Sequence, residues 1–304
     1  MIINSRIAAM TIVVGLALSG CAAQPAPSDG KIRAVGAENE YASVIAQIGG
    51  RYVDTTSVLS NPNTDPHTFE ASAQIASAIG NASLVVQNGL GYDSFMSKIE
   101  AAAPSSTRTI LSAQAVLGLP DSTRNPHLWY SPKTMPAVAK SIAAALGTLA
   151  PSHRAYFAAN LVAFDRSMLR WTTAIDAFRS AHPAVAVATT EPVADYLLEA
   201  AGARNLTPWA FQAAIMNTTD PAPQDVAIQD ALFTGGHVKA FLYNQQVTDS
   251  ITARYLALAR ANHVPVVGVY ETMPTGGYRY QTWMEAELAA IDRAVSSGTS
   301  TVKL

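Results

Sequence analysis

The chain has 304 residues, 49% of them hydrophobic and 14% charged, with 20 basic and 22 acidic side chains and a formal net charge of −2. That near balance excludes the strongly basic face of a nucleic-acid binder and the polybasic patch of an anionic-surface binder. A length of 304 residues implies about two domains at ~150 residues each, with enough apolar side chains to bury two cores. One cysteine excludes a disulfide framework and a thiolate metal centre, so any metal site must be built from histidines and carboxylates.

In chain order, the first segment reads as a secretory signal. Arg6 supplies a positive start, Ile7 to Leu18 a short apolar run, and Ser19 and Gly20 the small residues before Cys21. The run is too short, and wrongly flanked, for a membrane-spanning helix. Leu18-Ser19-Gly20-Cys21 is similar to a bacterial lipobox, in which Cys21 becomes the lipidated first residue; the alternative is an ordinary signal cleaved near Ala22 or Ala23. Losing residues 1–20 removes Arg6 and no acid, leaving 19 − 22 = −3. Ala22 to Gly30, with two prolines and several small residues, reads as a flexible tether.

Beyond the tether, Lys31–Gly36, Tyr52–Leu59, Leu84–Asn88 and Thr107–Leu111 have the β-branched, apolar character of strands. Leu84-Val85-Val86 is apolar enough for burial on both faces. Tyr41–Gly49 and Ala71–Ala82 read as the intervening helices, and the alternation implies βα units with a mostly parallel sheet. A second set follows, with strands at Ala184–Thr189, Val238–Tyr243 and Val264–Val269. Its helices lie near Val193–Ala201, Asp225–Thr234 and Asp249–Asn262. Between the sets, Ser152 to Ala181 reads as one long helix capped by Ser152. Phe157, Leu161, Phe164, Met168, Trp171, Ile175 and Phe178 recur along it at spacings of three and four. Such a helix can act as a rigid backbone between two lobes.

Two short segments are alike. Asn61-Pro62-Asn63-Thr64-Asp65-Pro66-His67 follows a strand, and Asn125-Pro126-His127-Leu128-Trp129 precedes a helix starting near Ser131-Pro132. Proline fixes φ and an Asx side chain can bond its own backbone, so each histidine is presented from a stiff turn. One Asx-Pro-His reads as a surface histidine; two at the strand ends of one βα domain read as ligands, because open α/β sheets bind there. Glu191 and Glu271 end strands of the second set. Singly, each is an ordinary solvated acid or helix cap. Together with two neutral imidazoles they would neutralise a divalent cation, which makes its burial tolerable. His153, His182, His237 and His263 read as surface groups, and Trp129, Trp171, Trp209 and Trp283 as packing residues. Gly89-Leu90-Gly91 lacks the rest of a dinucleotide fingerprint.

With these residues in view, the mature chain resembles the zinc/manganese solute-binding lipoprotein family of metal ABC importers. The resemblance runs through Glu38-Asn39-Glu40-Tyr41, Ile48-Gly49-Gly50, Asp65-Pro66-His67, Gln87-Asn88-Gly89-Leu90-Gly91-Tyr92-Asp93 and Asn125-Pro126-His127-Leu128-Trp129. It continues through Glu191-Pro192-Val193-Ala194-Asp195-Tyr196 and Tyr270-Glu271-Thr272-Met273-Pro274 to Trp283-Met284. It implies two βα lobes joined by one long rigid helix, a metal in the interlobe cleft, and the ligands His67, His127, Glu191 and Glu271. Many relatives have His at position 191, and Asp is commoner than Glu at 271. The His-rich loop of many zinc receptors is absent, since Gly91 to Arg124 contains no histidine.

The resulting expectation is a signal peptide over 1–20, a lipidated tether over 21–30, an N-terminal lobe over 31–150, a linking helix over 151–182, a C-terminal lobe over 183–296 and a tail over 297–304. The protein would be a monomer on the extracytoplasmic face of the cell membrane, anchored through lipid at Cys21, partnered by an ABC permease and binding no nucleic acid. Carboxylates that bind through both oxygens raise coordination above four, which sets Mn2+ just ahead of Zn2+ as cargo, with Fe2+ admissible. Zinc nonetheless outranks manganese in intrinsic affinity for most such sites. Competing readings are a receptor for a metal chelate or cobalamin-like ligand and a secreted metallohydrolase. The hydrolase would need an open coordination position, and no His-Glu-x-x-His motif is present. The expectation is therefore a binding protein and not an enzyme.

Overall fold

Among the described residues, short β-rich runs alternating with Ala-rich helices give two sheets of four strands each. The computed structural model describes residues 30–62, 69, 72–274 and 276–304. Its first sheet contains β1 (Ile32–Glu38), β2 (Val53–Leu59), β3 (Leu84–Gln87) and β4 (Thr109–Ser112), in the order β2-β1-β3-β4. The second contains β5 (Ala186–Thr189), β6 (Arg204–Asn205), β7 (Phe241–Asn244) and β8 (Val266–Val269), in the order β6-β5-β7-β8. Every pairing is parallel, so the two sheets share one winding. Each predicted strand is present, with bounds shifted by no more than three residues; β6, two residues long, carries no pattern that could have announced it. Cys21 and His67 lie outside the described residues, as do the signal segment and nearly all of the tether.

The helices of the first lobe are α1 (Asn39–Gly49), α2 (Ala73–Gly80), α3 (Ser94–Ala102), α4 (Ala113–Val116) and α5 (Thr134–Leu149). The long connecting helix is α6 (Arg154–Ala181), whose 28 residues span about 42 Å. It buries Phe157, Phe164, Met168, Trp171, Ile175 and Phe178 of the stripe read from spacing, while Leu161 of that stripe is only half-buried. Ser152 does not cap it; Ser152 sits in a 3₁₀ turn, Pro151–His153, that leads into the helix. The second lobe carries α7 (Asp195–Ala200), α8 (Trp209–Met216), α9 (Pro223–Thr234), α10 (Ser250–Ala261) and α11 (Tyr280–Ser297).

The expected pair of separate cores is corrected. One continuous apolar cluster runs from Ala34 and Ile45 through Trp129, Phe164 and Trp171 to Val187, Leu242, Trp283 and Ile291. The cause is α6 together with α11, whose buried Tyr280, Met284, Glu287, Ile291 and Ala294 recur at three and four and lie against α6 and β8. Two smaller clusters flank it, one around Val35, Val58 and Met96, the other around Phe211, Phe233 and Tyr255. Polar bonds also cross between the lobes: Asn39 Nδ2 donates to Met273 O at 2.8 Å while Met273 N donates to Asn39 Oδ1 at 2.8 Å. Tyr280 donates its hydroxyl to Trp129 O at 2.6 Å. Lys31 to Leu304 accordingly forms one compact unit.

Trp129, Trp171 and Trp283 are fully buried packing residues, and Trp209 is half-buried. Of the histidines read as surface groups, His237 and His263 are exposed. The other two differ: His153 stacks on Tyr52 at 3.7 Å between ring centroids, and His182 Nε2 lies 2.9 Å from Asp292 Oδ1, so packing partners hold both half-buried.

Candidate metal centre

The carboxyl ends of the second sheet bring two glutamates and an amide together. Thr189 lies opposite Leu242 in the β5–β7 register, so two residues further on Glu191 falls beside Asn244. Asn244 pairs with Val269 of β8, two residues before Glu271. The side chains meet as the register requires: Asn244 Nδ2 donates to Glu191 Oε1 at 3.0 Å and to Glu271 Oε1 at 2.7 Å. All three residues are buried, at 1%, 0% and 0% exposure for Glu191, Asn244 and Glu271. After Glu191, α7 begins at Asp195, following a turn closed by Asp195 N donating to Pro192 O.

The first lobe supplies His127. The Asx turn read from sequence is present, with His127 N donating to Asn125 Oδ1 at 3.0 Å. The same oxygen lies 2.7 Å from His127 Nδ1. An amide oxygen only accepts, so Nδ1 carries a proton, and in the neutral ring this leaves the lone pair on Nε2, the arrangement a metal-ligating imidazole needs. Asn125 Nδ2 in turn donates to Pro192 O at 2.8 Å, tying the histidine turn to the residue after Glu191. His127 Nε2 ends 3.4 Å from Glu271 Oε2, both side chains fully buried.

Tyr92 completes this face by donating its hydroxyl to Glu271 Oε2 at 3.0 Å. Its placement depends on Gly89-Leu90-Gly91, three successive residues at φ of 88°, 55° and 76°. A Cβ at Gly89 would lie 2.6 Å from Ser112 Oγ, so the turn requires glycine there for both space and dihedral. The turn also aims two backbone N–H groups, from Asn88 at 2.5 Å and Gly89 at 3.0 Å, at the Asp93 carboxylate. Burial raises Asp93 to about 6 even against those donors.

Sequence reasoning missed Asn244, Gln246, Tyr92 as a hydrogen-bond donor to Glu271, and the burial of Glu38 and Glu40. Gln246 Oε1 accepts from the backbone N–H groups of Glu271 and Thr272 at 2.6 and 2.9 Å, and Gln246 N donates to Asn244 Oδ1 at 3.0 Å. The available signal was Asn244-Gln245-Gln246, a polar run directly after the apolar Phe241-Leu242-Tyr243. Among the described residues no three His, Cys, Asp or Glu side chains form a cation site by themselves. They provide His127 and Glu271 as a close pair and Glu191 one amide away. A groove of about 440 Å³ lies on the Tyr92 side, lined by Arg124 and Pro126 from the first lobe and Trp209 and Met216 from the second.

Comparison with known proteins agrees with this architecture. The chain is 24% identical over 175 residues to the zinc-binding protein TroA of Treponema pallidum, covering 55% of this chain and 56% of TroA. It is 24% identical over 160 residues to the manganese-binding lipoprotein MntA of Bacillus subtilis, covering 50% of this chain and 52% of MntA. The chain thus spans about half the length of these curated relatives. In three dimensions it is similar to the solute-binding protein FpvC of Pseudomonas aeruginosa solved with Mn2+, with a TM-score of 0.71, 21% identity, and coverage of 87% of this chain and 98% of that one. Residues 35–294 match the model of the family described as zinc-uptake complex component A, periplasmic (ZnuA), and the chain belongs to that family.

Proposed function

We propose that the protein is an extracytoplasmic receptor that captures one divalent transition-metal ion and passes it to the membrane permease of an ABC importer. The observation that carries this reading is the contact of His127 Nε2 with Glu271 Oε2 at 3.4 Å, fully buried, with the imidazole lone pair turned toward the carboxylate. An imidazole and a carboxylate from different lobes, held this way without solvent, are suited to a cation between them. His127 and Glu271 act as donors with Glu191 and with His67, which lies outside the described residues. Two neutral imidazoles and two carboxylates balance a 2+ charge, so Mn2+, Fe2+ and Zn2+ all meet the electrostatic requirement. The activity is capture and release, with no bond made or broken in the cargo.

In this reading residues 31–150 and 183–296 form the two lobes and residues 151–182 the link between them, while Cys21 carries the lipid that holds the monomer at the membrane. No helix among the described residues is long and apolar enough to cross a membrane.

The test is native mass spectrometry with elemental analysis on protein purified without chelator, followed by thermal melts with added Mn2+ and Zn2+. One ion per chain is expected, with a stabilisation of about 4 kcal/mol at a thousandfold excess over Kd. A metal-induced shift that persists unchanged in both His127→Ala and Glu271→Ala would refute the assignment.

A further inference from the structure

We infer that Asn244 is a specificity-determining residue: its amide holds both glutamates in a one-oxygen binding mode and thereby favours zinc over manganese. This rests on the ligand reading above and adds to it a residue that is not itself a ligand.

The geometry is specific. A single NH2 group gives one hydrogen to Glu191 Oε1 and the other to Glu271 Oε1, at 3.0 and 2.7 Å. The amide cannot turn over to offer its oxygen, because Asn244 Oδ1 accepts from Gln246 N at 3.0 Å. The backbone is held as well, with Asn244 N donating to Thr190 Oγ1 at 3.1 Å, one residue before Glu191. Nothing in this assembly is exposed by more than 7%, so water does not compete for the bonds.

For Glu271 the division of labour is explicit. Oε1 accepts from the amide, while Oε2 faces His127 Nε2 at 3.4 Å and accepts from the Tyr92 hydroxyl at 3.0 Å. An ion bound next to the imidazole therefore meets Oε2. A cation chelated by both oxygens would have to share Oε1 with the amide hydrogens, which carry positive partial charge. One oxygen per carboxylate and one nitrogen per imidazole total four donors, the tetrahedral number zinc prefers. Mn2+ prefers a larger oxygen-rich shell, which a chelating carboxylate would supply. Asn244 thus opposes the coordination that a set of two glutamates otherwise permits.

The experiment measures Zn2+ and Mn2+ affinities by competition titration on the mature chain, for wild type, Asn244→Ala, Asn244→Ser and His127→Ala. Loss of the amide is expected to weaken zinc by about 10- to 100-fold, as outer-shell changes do. Manganese affinity should hold or rise, with Asn244→Ser intermediate because one hydroxyl hydrogen serves only one carboxylate. A merely structural role would lower both affinities together, and an unchanged ratio in both Asn244 variants overturns the inference. X-ray absorption on zinc-loaded wild type gives a reading independent of any variant's folding: four light donors with one-oxygen carboxylates support it, and a chelating carboxylate overturns it. His127→Ala separates the two levels. Should it keep wild-type zinc affinity, the ligand assignment fails and this inference with it; should it lose zinc while the Asn244 ratio stays fixed, only this inference fails.

Discussion

The two sheets place the same pair of residue types at the same point and use them differently. In the second, the β5–β7 register sets Glu191 beside Asn244; in the first, Gly36 lies opposite Val86, and two residues on Glu38 falls beside Asn88. Both pairs sit where strand order reverses about the first strand of each sheet, the place where open α/β sheets bind ligands. Asn244 gives its hydrogens to carboxylates. Asn88 gives its own to the carbonyls of Gly89 and Pro126 at 3.0 and 2.8 Å, and its oxygen accepts from Tyr41 at 2.7 Å. Among the described residues neither carboxylate oxygen of Glu38 has a hydrogen-bond partner. Burial, followed by the charges of Asp93 and Glu40, pushes Glu38 well above the usual carboxylate range, and burial does the same to Glu40. The Asn244 amide hydrogens favour the charged form of the two glutamates they reach, whereas Glu38 has no such donor among the described residues. The first lobe offers a histidine to the site, while burial disfavours the charged forms of its own Glu38 and Glu40.

That contrast can be broken most severely at the ligands. Glu191→Gln should lower metal affinity by at least about 100-fold, whereas Glu38→Gln should leave it within about threefold, by titration of both variants. Equal losses would show that the two acids are equivalent. A smaller effect is expected at Asn125, which fixes the His127 tautomer from the first lobe as Asn244 holds the glutamates from the second. Asn125→Ala should weaken binding by about 10-fold, and no change would mean the imidazole is oriented by packing alone.

The smallest effects concern stability against pH. Glu287 is buried beneath the seam between the lobes, accepting from Trp283 Nε1 at 3.0 Å and from the Tyr130 hydroxyl at 3.3 Å. Burial raises it from about 4.5 to about 8, against those hydrogen bonds. Its folded value lies above its unfolded one, so its contribution is complete below pH 4.5 and is lost progressively as pH rises to about 8. Glu287→Gln keeps an acceptor for Trp283 and removes the titration. Its Tm should match wild type at pH 4 and exceed it at pH 8, by about 2–4 °C per kcal/mol recovered. Glu38→Gln should act in the same direction. Parallel Tm profiles for wild type and Glu287→Gln would contradict the account.

The strands and the α6 stripe were legible because their period is local: Leu84-Val85-Val86 is buried on both faces as its composition demanded. The His127 turn was legible for the same reason, since proline and Asx chemistry act within three residues. Asn244 was not, because its role exists only in the register of β5 against β7 and β8. Glu38 and Glu40 were not, because an acid at a strand end or in a first helical turn has the sequence of an exposed helix-dipole partner. The core cluster shared by both lobes was hidden by the same non-locality, since α11 lies more than 100 residues from the middle of α6 yet packs on it.

Metal capture as proposed requires one cation to be held where His127 and Glu271 meet. The most direct measurement is a crystal structure of the mature protein loaded with one equivalent of Zn2+. An ion is expected about 2.0–2.2 Å from both His127 Nε2 and Glu271 Oε2, with Asn244 still bonded to the far oxygens of both glutamates. An ion bound elsewhere, with His127 Nε2 and Glu271 Oε2 still facing each other and no metal between them, would contradict it.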